Sequence, residues 1–118
     1  MAKNFQVSYL LDIYGAMLTD KQRDAVDLYY NEDLSLAEIS EHQGITRQGV
    51  RDSIKRAESI LLDCDEKLGF AQRLAHIQEG LDEIVAMAGR VMSDSSSHSI
   101  KTIKRLENII QTAKELAT

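Results

Sequence analysis

Proline is absent from all 118 residues, tryptophan is absent too, and Cys64 is the single cysteine. Each absence narrows the field. Without proline nothing in the chain deletes a backbone donor or clashes with a preceding turn, so helices run until glycine or a polar cap ends them. One cysteine builds neither an intrachain disulfide nor a cysteine-rich metal site, which fits a reducing cytoplasm. Aromatic residues make up only 5 % of the chain, while Ala, Leu, Ile, Glu, Lys and Gln dominate. That composition favours an all-α fold and predicts no strands. No apolar run approaches the roughly 20 residues a membrane span needs. Near the start, Asp12 interrupts the one stretch that superficially resembles a secretion signal. The expectation is a cytoplasmic protein without membrane insertion.

Catalytic and metal-binding patterns are also missing. His42, His76 and His98 lie far apart, and none belongs to an HxxxH or CxxC pair. The six glycines form no phosphate-cradling loop and no GxSxG. Asp63, Asp65 and Glu66 resemble half a cation site, but on a helix they diverge around the axis. The chain is therefore expected to be no enzyme and to carry no cofactor or metal. Cations are scarce as well: 14 Lys and Arg face 19 Asp and Glu, a net charge of -5. Such a balance works against unspecific attraction to nucleic-acid phosphate, so any affinity must come from a local concentration of positive charge.

That concentration exists. Between Leu18 and Leu62 the sequence reads as three consecutive helices. Thr19 with Gln22 and Ser35 with Glu38 have the spacing of capping boxes, in which each cap oxygen takes one orphan amide and the later side chain reaches back. Asp20 suits the positive end of the first of these helices. Leu34 with Ile39 forms a hydrophobic staple across the second cap. Gln43, Gly44 and Ile45 then make a tight turn in which Gly44 tolerates the left-handed backbone of a sharp helix ending. Thr46 caps the next helix, with Ile45 and Val50 as its staple. Two helices joined by a three-residue turn are the helix-turn-helix pattern.

The second of those helices sorts its residues by face. Val50, Ile54, Ala57 and Leu61 recur at spacings of four, three and four and are predicted to be buried. Arg47, Arg51 and Lys55 fall four apart on an outward stripe flanked by Gln48 and Asp52. From Thr46 to Leu62 four basic residues (Arg47, Arg51, Lys55, Arg56) face two acidic ones (Asp52, Glu58), a local balance of +2. This is the helix that would enter a groove.

Elsewhere the reading concerns packing. Asn4 to Leu18 predicts a helix with Phe5, Tyr9, Ile13, Ala16 and Met17 on its core face. Tyr29 and Tyr30 are adjacent and cannot both point inward, so one hydroxyl is expected to face water. A break is expected near Gly69. Beyond it, Leu74, Ile77, Leu81, Ile84, Ala88 and Val91 form a heptad seam of about two and a half repeats. Ser93 to Ser99 reads as a loop, with Ser97 or Ser99 capping a last helix that places Ile103, Leu106, Ile110, Ala113 and Ala117 on one side. The predicted organisation is thus a helix-turn-helix domain at 1–68 and a C-terminal helical hairpin at 69–118. The hairpin's stripe must pack on the first domain or on a second copy in a homodimer. Lys101, Lys104 and Arg105 crowd the positive end of the last helix, where cations are unfavourable. A phosphate or an acidic partner would explain them, and a solvated basic face is the plainer reading.

The residues Leu18, Thr19, Lys21 and Gln22, then Leu28 to Tyr30, Asp33 to Leu36, Glu38 and Ile39, then Arg47, Gln48, Val50, Asp52, Ile54 to Arg56 and Glu58, and finally Glu66 to Leu68 carry a resemblance. Over about Leu18 to Leu68 the chain resembles the YlxM family of small bacterial helix-turn-helix proteins, themselves similar to the promoter-reading C-terminal region of sigma factors. The resemblance implies a DNA-binding regulator. It also implies a link, through gene neighbourhood, to components of the signal recognition particle pathway. Two departures stand out: Gly49 where the family more often resembles alanine, and Gln43 at a site usually apolar.

The function expected from these residues is binding of double-stranded DNA. Arg47, Gln48 and Arg51 would approach base edges while Lys55 and Arg56 hold phosphates. The alternative is an adaptor that keeps the fold but holds a protein or an RNA.

Overall fold

Thr19, Ser35 and Thr46 each accept, through the side-chain oxygen, the backbone amide three residues on, and each starts a helix. The structure is a computed structural model describing residues 1–94 and 98–117. Its elements are α1 (Gln6–Tyr14) with a 3-10 turn at Gly15–Met17, α2 (Asp20–Tyr30), α3 (Leu36–Gln43), α4 (Arg47–Leu68), α5 (Phe70–Asp94) and α6 (Ile100–Ala117). There is no strand among the described residues, and the fold is all-α. The chain divides into two compact units, Met1–Ala71 and Gln72–Thr118.

In the first unit both capping boxes are complete. Gln22 Oε1 accepts from the Thr19 amide at 3.0 Å, and Glu38 Oε1 accepts from the Ser35 amide at 3.1 Å. Two clusters make the core. Ala25, Tyr29, Ile39, Val50 and Ile54 pack together, with the staple residues Leu34 and Ile45 against them. Val7, Leu10, Leu11, Tyr14, Leu18, Val26, Ala57, Leu61 and Ala71 form the other. One face of α4 thus serves both, its amino-terminal half in the first cluster and its carboxy-terminal half in the second, and Val50, Ile54, Ala57 and Leu61 are all fully buried.

The first helix is shorter than predicted and is turned the other way. Val7, Leu10, Leu11 and Tyr14 are its buried residues, whereas Phe5 is 77 % and Met17 64 % exposed and Tyr9 also faces solvent. Ala16 is exposed and Ile13 half-buried. Apolar residues occur at two overlapping helical spacings here, and spacing alone does not choose between them. Asp12 projects on the side of Phe5 and Ala16, so burying that side would strand a carboxylate.

The adjacent tyrosines also depart from expectation. Tyr29 is buried and its hydroxyl donates to the Met1 carbonyl at 3.2 Å. The Tyr30 hydroxyl donates to Glu58 Oε1 at 2.7 Å and accepts from the Asn4 amide at 3.1 Å. Both hydroxyls find protein partners because Met1 to Asn4 folds across the end of α2, held by Lys3, whose Nζ donates to the Tyr29 carbonyl and to Asp33 Oδ1. Burial, and then the bond to Glu58, pushes the Tyr30 phenol up to about 12. The proton is therefore held more tightly in the folded chain than in the unfolded one. Its contribution to stability is complete below about pH 10 and is lost as pH rises through about 12. Urea unfolding of the native chain and of Tyr30→Phe, compared from pH 9 to 12, should show the native chain losing stability more steeply.

Gly69 ends α4 with φ +65°, and the chain restarts at once as α5. The junction is closed by side chains. The Tyr14 hydroxyl donates to Asp65 Oδ1 at 2.9 Å and accepts from the Phe70 amide at 3.1 Å, and the same carboxylate oxygen accepts from the Ala71 amide at 3.1 Å. Burial and this carboxylate raise the Tyr14 pKa.

In the second unit, α5 extends through Ser93 and Asp94, further than the predicted loop allowed, and Ser93 Oγ donates back to the Gly89 carbonyl at 3.0 Å. Ser99 caps α6 by accepting from the Thr102 amide at 3.1 Å; Ser97, the other predicted cap, lies outside the described residues. Leu81 and Ile84 of α5 and Ile109, Ala113 and Leu116 of α6 line one groove. The two helices therefore run back along each other as a hairpin. Among the described residues no helix is long and apolar enough to cross a membrane.

Candidate nucleic-acid interface

The turn between α3 and α4 is built from backbone and two side chains. Gly44 takes φ +68° and ψ +31°, and its amide donates to the Ser40 carbonyl at 2.9 Å. Ser40 Oγ in turn donates to the Ile45 carbonyl. Thr46 Oγ1 accepts from the Gly49 amide at 2.9 Å. Gly49 matters to that contact, since a Cβ there would stand 3.1 Å from Thr46 Oγ1. Gln43, the residue at a site usually apolar, sends Nε2 to the Lys21 carbonyl at 3.0 Å and so ties α3 to α2, while its Oε1 is buried without a partner.

Arg47, Gln48, Arg51, Lys55 and Arg56 are all exposed. Their spacing divides them. Arg47, Arg51 and Lys55 follow one another every four residues along one flank of α4. Arg56 lies beyond Asp52 on the other flank, where Gln22, Gly49, Asp52, Ser53 and Arg56 surround a shallow groove beside the start of α2. Gln48 stands between the flanks with Nε2 donating to Asp52 Oδ1 at 3.0 Å. The two local acids are thus both engaged: Asp52 by Gln48 and Glu58 by Tyr30. Sequence reasoning placed Asp52 beside the stripe without assigning it a partner, although a glutamine and an aspartate four apart on a helix have the spacing of such a pair.

The helix ends differ in charge. α2 and α3 each carry an acid in the first turn, Asp20 and Glu38, whereas the first turn of α4 has none and begins with Arg47. Its unclaimed amides and dipole therefore face solvent beside a guanidinium. Among the described residues no group of three or more His, Cys, Asp or Glu could hold a metal ion.

A tri-helical body whose last two helices meet across a left-handed glycine turn, the second with a cationic outer flank, defines a helix-turn-helix protein. The chain matches, over residues 1–109, the family UPF0122, described as "Putative helix-turn-helix protein, YlxM / p13 like". It belongs to that family. Similar chains are the UPF0122 proteins of Clostridium kluyveri (42 % identical over 104 residues, covering 88 % of this chain and 94 % of the relative), Desulforamulus reducens (34 % over 117 residues, 98 % and 100 %) and Thermoanaerobacter pseudethanolicus (43 % over 110 residues, 93 % and 92 %). The match extends on both sides of the stretch, Leu18 to Leu68, that carries the resemblance in sequence.

Proposed function

We propose that this protein binds double-stranded DNA and acts as a regulator, with α4 as the helix that enters the major groove. The observation that carries the reading is the row Arg47, Arg51 and Lys55, exposed along α4 behind a first turn free of acids. A helix lying in a groove meets a phosphate wall on each flank. Lys55 on one flank and Arg56 on the other suit opposite walls, and Arg47 and Arg51 near the amino-terminal half suit base edges, where arginine pairs with guanine. Gln48 would reach a base only by leaving Asp52, so its side chain exchanges one partner for another on binding.

A second reading has one observation in its favour. Asp20 and Asp24 are exposed on α2 and Asp27 is half-buried beside them around Arg23, a surface of three acids to one cation that suits an adaptor holding a basic protein partner. Titrating the full chain into a mixed pool of duplexes at two salt concentrations separates the two. A DNA reader loses affinity steeply as salt rises, because each neutralised phosphate releases counterions. Binding that is absent, or indifferent to salt, overturns the DNA reading and favours the adaptor.

A further inference from the structure

The hairpin leaves an apolar face open. Among the described residues of the second unit, Gln72 onward, only Ala88 and Ala113 are buried. On one side of the pair Ile84 is 40 %, Ile109 48 % and Leu116 69 % exposed around a groove of about 350 Å³. Ile77, Met87 and Val91 continue the exposed stripe along α5. Contiguous apolar surface of this kind marks a contact with another macromolecule.

The charges say which. From Arg90 to Glu107, the end of the hairpin nearest the chain reversal, four cations (Arg90, Lys101, Lys104, Arg105) outnumber two acids. At the other end, from Gln72 to Gly89 and from Asn108 onward, four acids (Glu79, Asp82, Glu83, Glu115) outnumber two cations. The antiparallel return puts Arg90 level with Lys104, and α6 adds the positive end of its own dipole there. Among the described residues no ion pair involves Arg90, Lys101, Lys104, Arg105, Glu79, Asp82 or Glu83. A helix pair that is basic at one end and acidic at the other, with an apolar face open along one side, is complementary to itself when a copy is laid alongside it in the reverse direction.

We infer that the occupant of this face is the same face of a second copy, packed antiparallel about a two-fold axis so that each basic end lies over the partner's acidic end. The result is a four-helix bundle in which both outer stripes are covered. It gives Lys101, Lys104 and Arg105, misplaced with respect to their own helix, the acidic neighbour that a lone chain lacks. The inference does not depend on DNA binding. A foreign protein would need neither the alternation of charge nor its symmetry.

Sedimentation equilibrium of the full-length chain tests it. The native chain is expected to be a dimer whose dissociation increases as salt screens the end-to-end attraction. K104E with R105E makes both ends acidic, and E79K with E83K makes both ends basic. Each variant alone should dimerise about tenfold or more weakly, and an equimolar mixture of the two should recover the dimer. A monomeric native chain overturns the inference, as do variants that each dimerise like the native chain or a mixture that recovers nothing. The native salt dependence stands without any variant: a dimer strengthened by salt has like ends together, which sinks the antiparallel arrangement.

Discussion

Leu61→Ala is expected to destabilise the first unit by about 3 kcal/mol, measured as the shift in urea midpoint at unchanged slope. Leu61 is fully buried on α4 and belongs to the core cluster that also contains Val7, Leu10, Tyr14, Val26 and Ala71. Truncation removes transfer free energy and leaves a cavity walled by α1, α2 and the start of α5, whose side chains facing it are themselves buried, so little collapse is available. Against the roughly 5 to 15 kcal/mol that holds a typical domain together, that is a large fraction. The cationic row lies on another side of the same helix. Below the unfolding transition the variant should therefore keep whatever affinity the native chain has, which separates loss of fold from loss of site.

The second large effect falls on binding alone. Replacing Arg51 and Lys55 together by alanine should lower the slope of log K against log salt by about 1, since Lys55, the phosphate-holding member of the pair, accounts for close to one released counterion. Arg47→Ala should cost about 1 to 3 kcal/mol on the preferred duplex and relax sequence preference. All three side chains are exposed and none belongs to either core cluster, so their removal should leave the unfolding curve in place. A salt slope that does not move means that the row is not on phosphate, and the proposed docking of α4 fails with it.

Most of the helix-turn-helix was legible because its signals are local. A cap oxygen and the amide it accepts lie three residues apart, and Gly44 declares its turn by being the residue that tolerates φ +68°. The buried row of α4 was equally plain, as α4 has only one apolar stripe. α1 was misread for the opposite reason, having apolar residues on two sides. The deciding facts were the position of Asp12 and the long-range bond from Tyr14 to Asp65, and a bond spanning 51 residues leaves no periodic trace. The tyrosine pair failed likewise, because Met1 and Glu58, which satisfy the hydroxyls, are far from both in sequence. For the candidate site, residue types and spacing were readable. The division into two flanks, and the engagement of Gln48 by Asp52, required coordinates.

The clasp of Tyr14 and Asp65 on the first amides of α5 bears on how the protein can be dissected. Cutting after Leu68 would take away Phe70 and Ala71, leaving a phenol and a carboxylate at an opened core edge with nothing to receive. Ala71 would also vanish from the cluster it helps to seal. A fragment intended to stand alone should therefore carry the opening turn of the next helix as its own plug.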